Sequence, residues 1–271
     1  MLRDITIGQH FPGNSVVHRM DPRAKLLATI VYIVILFVGS NPIGLALSAV
    51  FVLVAYGVAA IPLRLVGKSL KPILPIILFT AVLNLFFVPG DTLVALGPLV
   101  ITWQGVYNVL VLTVRIVCLI AGTSLLTYTT SPIVLTDALE RLLAPLARLH
   151  LPVHELAMMM TIALRFIPTL IEETDKIMSA QKARGAELDT GSISERIKAL
   201  IPVLIPLFIS AFRRADELAM AMECRCYHGG EGRTRLRQLK LGGLDFVLSA
   251  VCAGVFVLIG CSGILWRMTG L

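Results

Sequence analysis

Long apolar runs alternate with short polar, mostly basic connections along the chain, and one central region breaks that rhythm. The runs extend from Leu26 to about Val38, Ile43 to about Ile61, Ile73 to Val88, about Gly105 to Thr129 and, last, Gly242 to about Trp266. Such runs predict bilayer-crossing helices, since a hydrocarbon core takes about 20 residues of helix to span. The first is short for that thickness. Asp21-Pro22 is an N-cap and first-turn pair that opens it, and Gly39-Ser40-Asn41-Pro42 is turn chemistry that closes it. Residues 89–104 carry no Lys or Arg, and apolar positions alternating around Gly97-Pro98 predict a small hairpin.

Residues 131–241 follow a helical period with more charge. Val134 to Leu149 predicts a short amphipathic helix with Leu135, Leu139, Leu142 and Leu146 on one face. Two longer helices follow, one with Leu156, Met159, Ala163, Phe166 and Leu170 along a face, the other with Ile197, Leu200, Ile201, Leu204 and Phe208. Pro168 in the first and Pro202 and Pro206 in the second predict kinks. Both end in charge and are expected to lie along the inner membrane surface or under the bundle. The pattern thus predicts an all-α integral membrane protein. It has about five transmembrane helices and three cytoplasmic or interfacial ones, with the N-terminus inside. Its parts are a four-span membrane bundle (1–130), a cytoplasmic region (131–241) and a C-terminal transmembrane helix (242–271).

Charge placement supports that topology. Of 24 Lys and Arg, only Arg115 and Arg267 fall outside segments assigned to the cytoplasm, as the positive-inside rule requires. A net charge of +7 in a chain that is 56% hydrophobic therefore reads as membrane orientation, not as a nucleic-acid surface. Arg233, Arg235, Arg237 and Lys240 form a basic collar before the last span, suited to anionic lipid. Arg115 falls within a span, where charge costs about 2.5 kcal/mol or more on insertion scales. It is either a polar point facing the bundle interior or an arginine that packs or snorkels. Asp245, the acid of the last span, lies at a different depth.

Enzyme chemistry is not evident. Five cysteines without CxxC or Cys/His spacing support neither a disulfide framework nor a metal site. Gly67-Lys68-Ser69 imitates the end of a P-loop, but Pro62 stands where that loop needs glycine, so the chain is not expected to bind ATP or another cofactor itself. No paired acids or nucleophile arrangement stands out.

The central helices carry a duplication instead. The first ends in Lys182-Ala183-Arg184-Gly185 and the second in Glu223-Cys224-Arg225-Cys226. Asp175 and Asp216 precede their arginines at the same distance, as do Ala180 and Ala221. Glu172-Glu173 in one copy falls where Arg213-Arg214 stands in the other, a reason for the helices to pair. A basic last turn and a following glycine stop a helix without any partner. Termination alone does not require the repeated spacing.

With these features, the chain resembles the transmembrane T component of an energy-coupling factor (ECF) transporter, a class of ATP-driven vitamin and transition-metal importers. The resemblance rests on the N-terminal His18-Arg-Met-Asp-Pro-Arg-Ala-Lys25 motif, with Asp21, Pro22, Arg23 and Lys25, and on Gln181 to Gly185. Ala219 to Tyr227 and the order of spans complete it. It implies that Ala183, Arg184 and Gly185, and Cys224, Arg225 and Cys226, dock into two cytoplasmic ATPase subunits that bind the ATP. It implies too that the same helices support a membrane-embedded substrate-binding S component. Cys224 and Cys226 depart from the small residues usual beside the second arginine. A self-contained secondary transporter or channel is the rival reading, and it would need more membrane-embedded ionisable groups than Arg115.

Overall fold

Two of the helices built from the apolar runs open at a side chain that caps them. In the computed structural model, which describes residues 11–39, 41–62, 64–96, 99–149, 152–186, 192–229 and 242–269, a short α1 (Val16–Arg19) leads to α2 (Pro22–Val38). Asp21 caps α2 by accepting from the Arg23 N–H, with Pro22 in the first turn. Asn41 and Pro42 open α3 (Pro42–Ala59). Thr102 caps α6 (Trp103–Thr129) by accepting from the Gly105 N–H at 3.0 Å. Between them lie α4 (Arg64–Leu70) and α5 (Leu74–Phe87). Strands β1 (Thr92–Leu96) and β2 (Leu99–Thr102) pair antiparallel with Leu96 opposite Leu99. The expected hairpin is therefore present, with residues 97 and 98 outside the described residues.

Two compact units divide the chain. One comprises residues 8–138 with 239–271, and the other residues 139–238. In the first, α10 (Gly243–Thr269) packs on both α2 and α3, and α6 packs on both as well. Three buried tyrosines lock this packing because each hydroxyl finds a partner. Tyr32 donates to the Cys118 carbonyl at 3.1 Å, Tyr56 to that of Ala121 at 2.9 Å, and Tyr128 to that of Leu65 at 3.1 Å. Gly122 on α6 has no side chain because the Tyr32 ring lies where a Cβ would stand.

The spans differ from expectation in detail. Among the described residues four helices are long and apolar enough to cross a membrane: α3, α6, Val153–Ala183 and α10 as far as Ser262. The pair α4 and α5, bent by 65°, makes a fifth if counted as one broken span. The bend corrects the sequence reading, which treated residues 62–72 as a plain connection. α2 has 17 residues, about 25 Å, and falls short of a core about 30 Å thick. Val153–Ala183, expected along the surface, qualifies by length because Pro168 leaves its 31 residues in one helix. Gly67-Lys68-Ser69 lies within α4, and the Ser69 hydroxyl bonds Tyr128 Oη at 2.7 Å. It forms no strand-to-helix phosphate cradle.

Helix α7 (Pro132–Leu143) leads into the second unit, where a 3₁₀ segment (Ala144–Leu149) is followed by α8 (Val153–Ala183) and α9 (Ile193–Glu223). Ser192 and Glu195 open α9 with a reciprocal capping box. Among the described residues α8 packs against α9. The prolines shape that contact. Pro206 has no N–H to give the Pro202 carbonyl one turn earlier, and Gln181 of α8 donates to that carbonyl at 3.3 Å instead.

Candidate docking site at two arginine-ended helices

The ends of α8 and α9 fold into the same turn. After α8, the Ala186 N–H donates to the Gln181 carbonyl and the Gly185 N–H to that of Lys182, each at 3.0 Å. After α9, the Tyr227 N–H donates to the Met222 carbonyl at 3.1 Å and the Cys226 N–H to that of Glu223 at 2.8 Å. Both sets are a Schellman turn, which satisfies carbonyls a helix end leaves open. Arg184 and Arg225 hold equivalent places in it, each followed by a residue with positive φ: +86° at Gly185 and +53° at Cys226. Glycine enters that region freely, whereas cysteine does so at a cost of about 1 kcal/mol. Ala183, Arg184, Gly185, Cys224, Arg225 and Cys226 are all exposed. Neither guanidinium makes an ion pair among the described residues.

The two tails point to different places. Gln181 near the end of α8 meets Pro202, while Glu173, two turns back, meets residues 210 and 214 farther along α9. The helices therefore run antiparallel. Arg225 lies 23 residues beyond Pro202, about 35 Å along α9 from the tail of α8. One of the matched charge pairs is in contact: Arg214 bonds Glu173 at 2.5 Å, and the Ser210 hydroxyl donates to the other oxygen of the same carboxylate. Glu172 and Arg213 are exposed and make no ion pair among the described residues.

The N-terminal motif builds a buried node in the other unit. Asp21 accepts from the Arg23 guanidinium at 3.1 Å and donates its own backbone N–H to Asp245 Oδ1 at 2.7 Å. The second Asp245 oxygen accepts from the Gly242 N–H at 2.7 Å. Lys25 is buried, and its ammonium donates to the His18 carbonyl, the Thr129 carbonyl and the Thr130 hydroxyl at 3.1–3.2 Å. Pro22 is buried at the start of α2. The motif thus ties α2, the end of α6 and the start of α10 together. Asp245, Thr129 and Thr130 were not legible as its partners, since nothing local in the sequence joins them to Asp21 or Lys25.

Arg115 packs. Its guanidinium carbon lies 5.9 Å from the centre of the Phe37 ring, and its buried Nε has no hydrogen-bond partner among the described residues. Phe37 stands one residue before the end of α2, whereas Asp245 meets Asp21 at the start. Sixteen residues of helix, about 24 Å, hold the two charges at different depths. The basic collar, Arg233 to Lys240, lies outside the described residues.

Comparison with known proteins fits this architecture. The family model CbiQ, "Cobalt transport protein", matches residues 13–236. An energy-coupling factor transporter transmembrane protein of Thermosediminibacter oceani is 55% identical over 244 residues, 90% of this chain and 92% of that protein. One from Heliobacterium modesticaldum is 51% identical over 259 residues, covering 96% and 97%. One from Bacillus subtilis is 47% identical over 246 residues, covering 90% and 93%. With its membrane-spanning helices, the chain is a multi-pass protein of the cell membrane. It belongs to the family of CbiQ and the energy-coupling factor transporter transmembrane proteins.

Proposed function

We propose that this chain is the energy-coupling scaffold of its transporter, converting movement of two cytoplasmic ATPase subunits into movement of a membrane-embedded substrate-binding component. The observation that carries the reading is the pair of matched turns at the C-terminal ends of the antiparallel helices α8 and α9, each presenting an exposed arginine. Arginine suits docking because its planar fork binds a carboxylate through two hydrogen bonds. Two equal tails about 35 Å apart along a helix fit two like partners better than one. ATP-driven approach of those partners would carry the tails with it, and the contacts at Glu173–Arg214 and Gln181–Pro202 would pass the movement between the helices.

In this reading the N-terminus and both tails face the cytoplasm, ATP is bound by the partners, and the chain has no catalytic role of its own. The S component selects the vitamin or metal. The exposed face of α9, with Ile201, Leu204, Phe208 and Phe212, and the methionines of α8 offer an adaptable apolar surface for it. The test is assembly and uptake in vesicles with Arg184→Glu, Arg225→Glu and both. Either change weakens assembly or uncouples ATP hydrolysis from uptake, and the double change abolishes uptake. Full uptake by an assembled double variant defeats the proposal, as does transport by the chain alone.

A further inference from the structure

The packing of α2, α3, α6 and α10 leaves a cleft of about 360 Å³ inside the membrane bundle. Ala28, Tyr32, Leu125 and Phe256 line its depth. Val50, Val54 and Val58 on α3 and Val251 and Leu258 on α10 form a rim, and all five are exposed. These rim residues belong to two membrane-spanning helices, so the mouth opens sideways onto hydrocarbon, where lipid is the surrounding solvent. An apolar space of this kind attracts no water.

The cleft wall is apolar almost throughout, and one end of it lies where α2 begins and α6 ends. Lys25 and Thr129 close that end, and the three protons of the Lys25 ammonium are taken by protein oxygens. Around that end the acids are withdrawn: Asp21 and Asp245 are buried and accept from backbone N–H groups and Arg23. Arg23 is held by Asp21, whereas Arg19 makes no ion pair among the described residues. Arg19, between the lining residues Val17 and Met20, is exposed, and Arg23 is partly so. A greasy slot with positive charge at one end matches a molecule with an alkyl chain and an anionic head.

We propose that the cleft is a phospholipid site, holding one acyl chain with an anionic headgroup beside Arg19. It does not depend on the ATPase-coupling reading. The purified chain is reconstituted in nanodiscs containing phosphatidylglycerol or phosphatidylcholine with a photoreactive group on one acyl chain, and adducts are mapped by mass spectrometry. Adducts should concentrate on Ala28, Leu125 and Phe256, with phosphatidylglycerol favoured. Ala55→Phe, which plugs the cleft, should remove them. Arg19→Glu, a surface change that leaves the bundle intact, should lower the preference for phosphatidylglycerol by roughly fivefold. Adducts spread evenly onto lipid-facing Leu78 and Phe79 of α5 would overturn the proposal, as would equal capture of both lipids. So would adducts that vanish once partner subunits assemble, because the occupant would then be protein.

Discussion

Gly185 and Cys226 occupy the same left-handed position, one residue past Arg184 and Arg225, so two unlike residues close two like turns. The hydrogen bonds are the same, but only Cys226 carries a Cβ into that conformation. Gly185→Ala should loosen the end of α8 by about 1 kcal/mol, whereas Cys226→Gly should not loosen the end of α9. Amide hydrogen exchange in the two last turns measures this. Equal protection losses in both variants would show that the left-handed residue does not limit either turn.

The Cys224 and Cys226 thiols are exposed. If the second tail docks, both should react with a thiol reagent in the free chain and become protected when ATPase subunits bind. Changing both to Ala should leave assembly and uptake nearly intact, because cysteine serves here as a small side chain. Labelling that is equal with and without the partners would remove this tail from the docking surface.

Glu173 and Arg214 are partly buried, so their pair should be worth about 1 kcal/mol, at the upper end for such pairs. Reversing either charge should lower the melting temperature in detergent. Reversing both should recover part of the loss. Recovery stays incomplete because Ser210 loses its acceptor when residue 173 becomes basic. The same reversals at Glu172 and Arg213 should change little. A double-mutant cycle gives both answers.

Asp245 offers an oxygen to each of two backbone N–H groups, those of Asp21 and Gly242. Asn keeps one such acceptor and Ala keeps none. Stability should therefore fall in the order wild type, Asp245→Asn, Asp245→Ala, by about 1–3 kcal/mol where the buried Asp21 N–H loses its acceptor and by less for the exposed Gly242. Thermal unfolding of the detergent-purified chain reads the order, and identical values for the two variants would contradict it.

The sequence by itself determined the elements: apolar runs long enough to span, Asp21-Pro22 and Asn41-Pro42 as helix starts, the hairpin, and two arginine tails at one spacing. These follow from local chemistry, because caps, turns and periodicity act within a few residues. Tertiary structure decided what depends on helices becoming neighbours. Asp21 reaches Asp245 across 224 residues of sequence, and Arg115 packs on the Phe37 ring with no acid paired to it among the described residues. The tails face apart because α8 and α9 run antiparallel. The bend between α4 and α5, and the length of α8 through Pro168, also lay beyond periodicity. A proline removes one hydrogen bond wherever it stands, but only packing decides whether the chain turns there or, as in α9, another helix takes up the freed carbonyl.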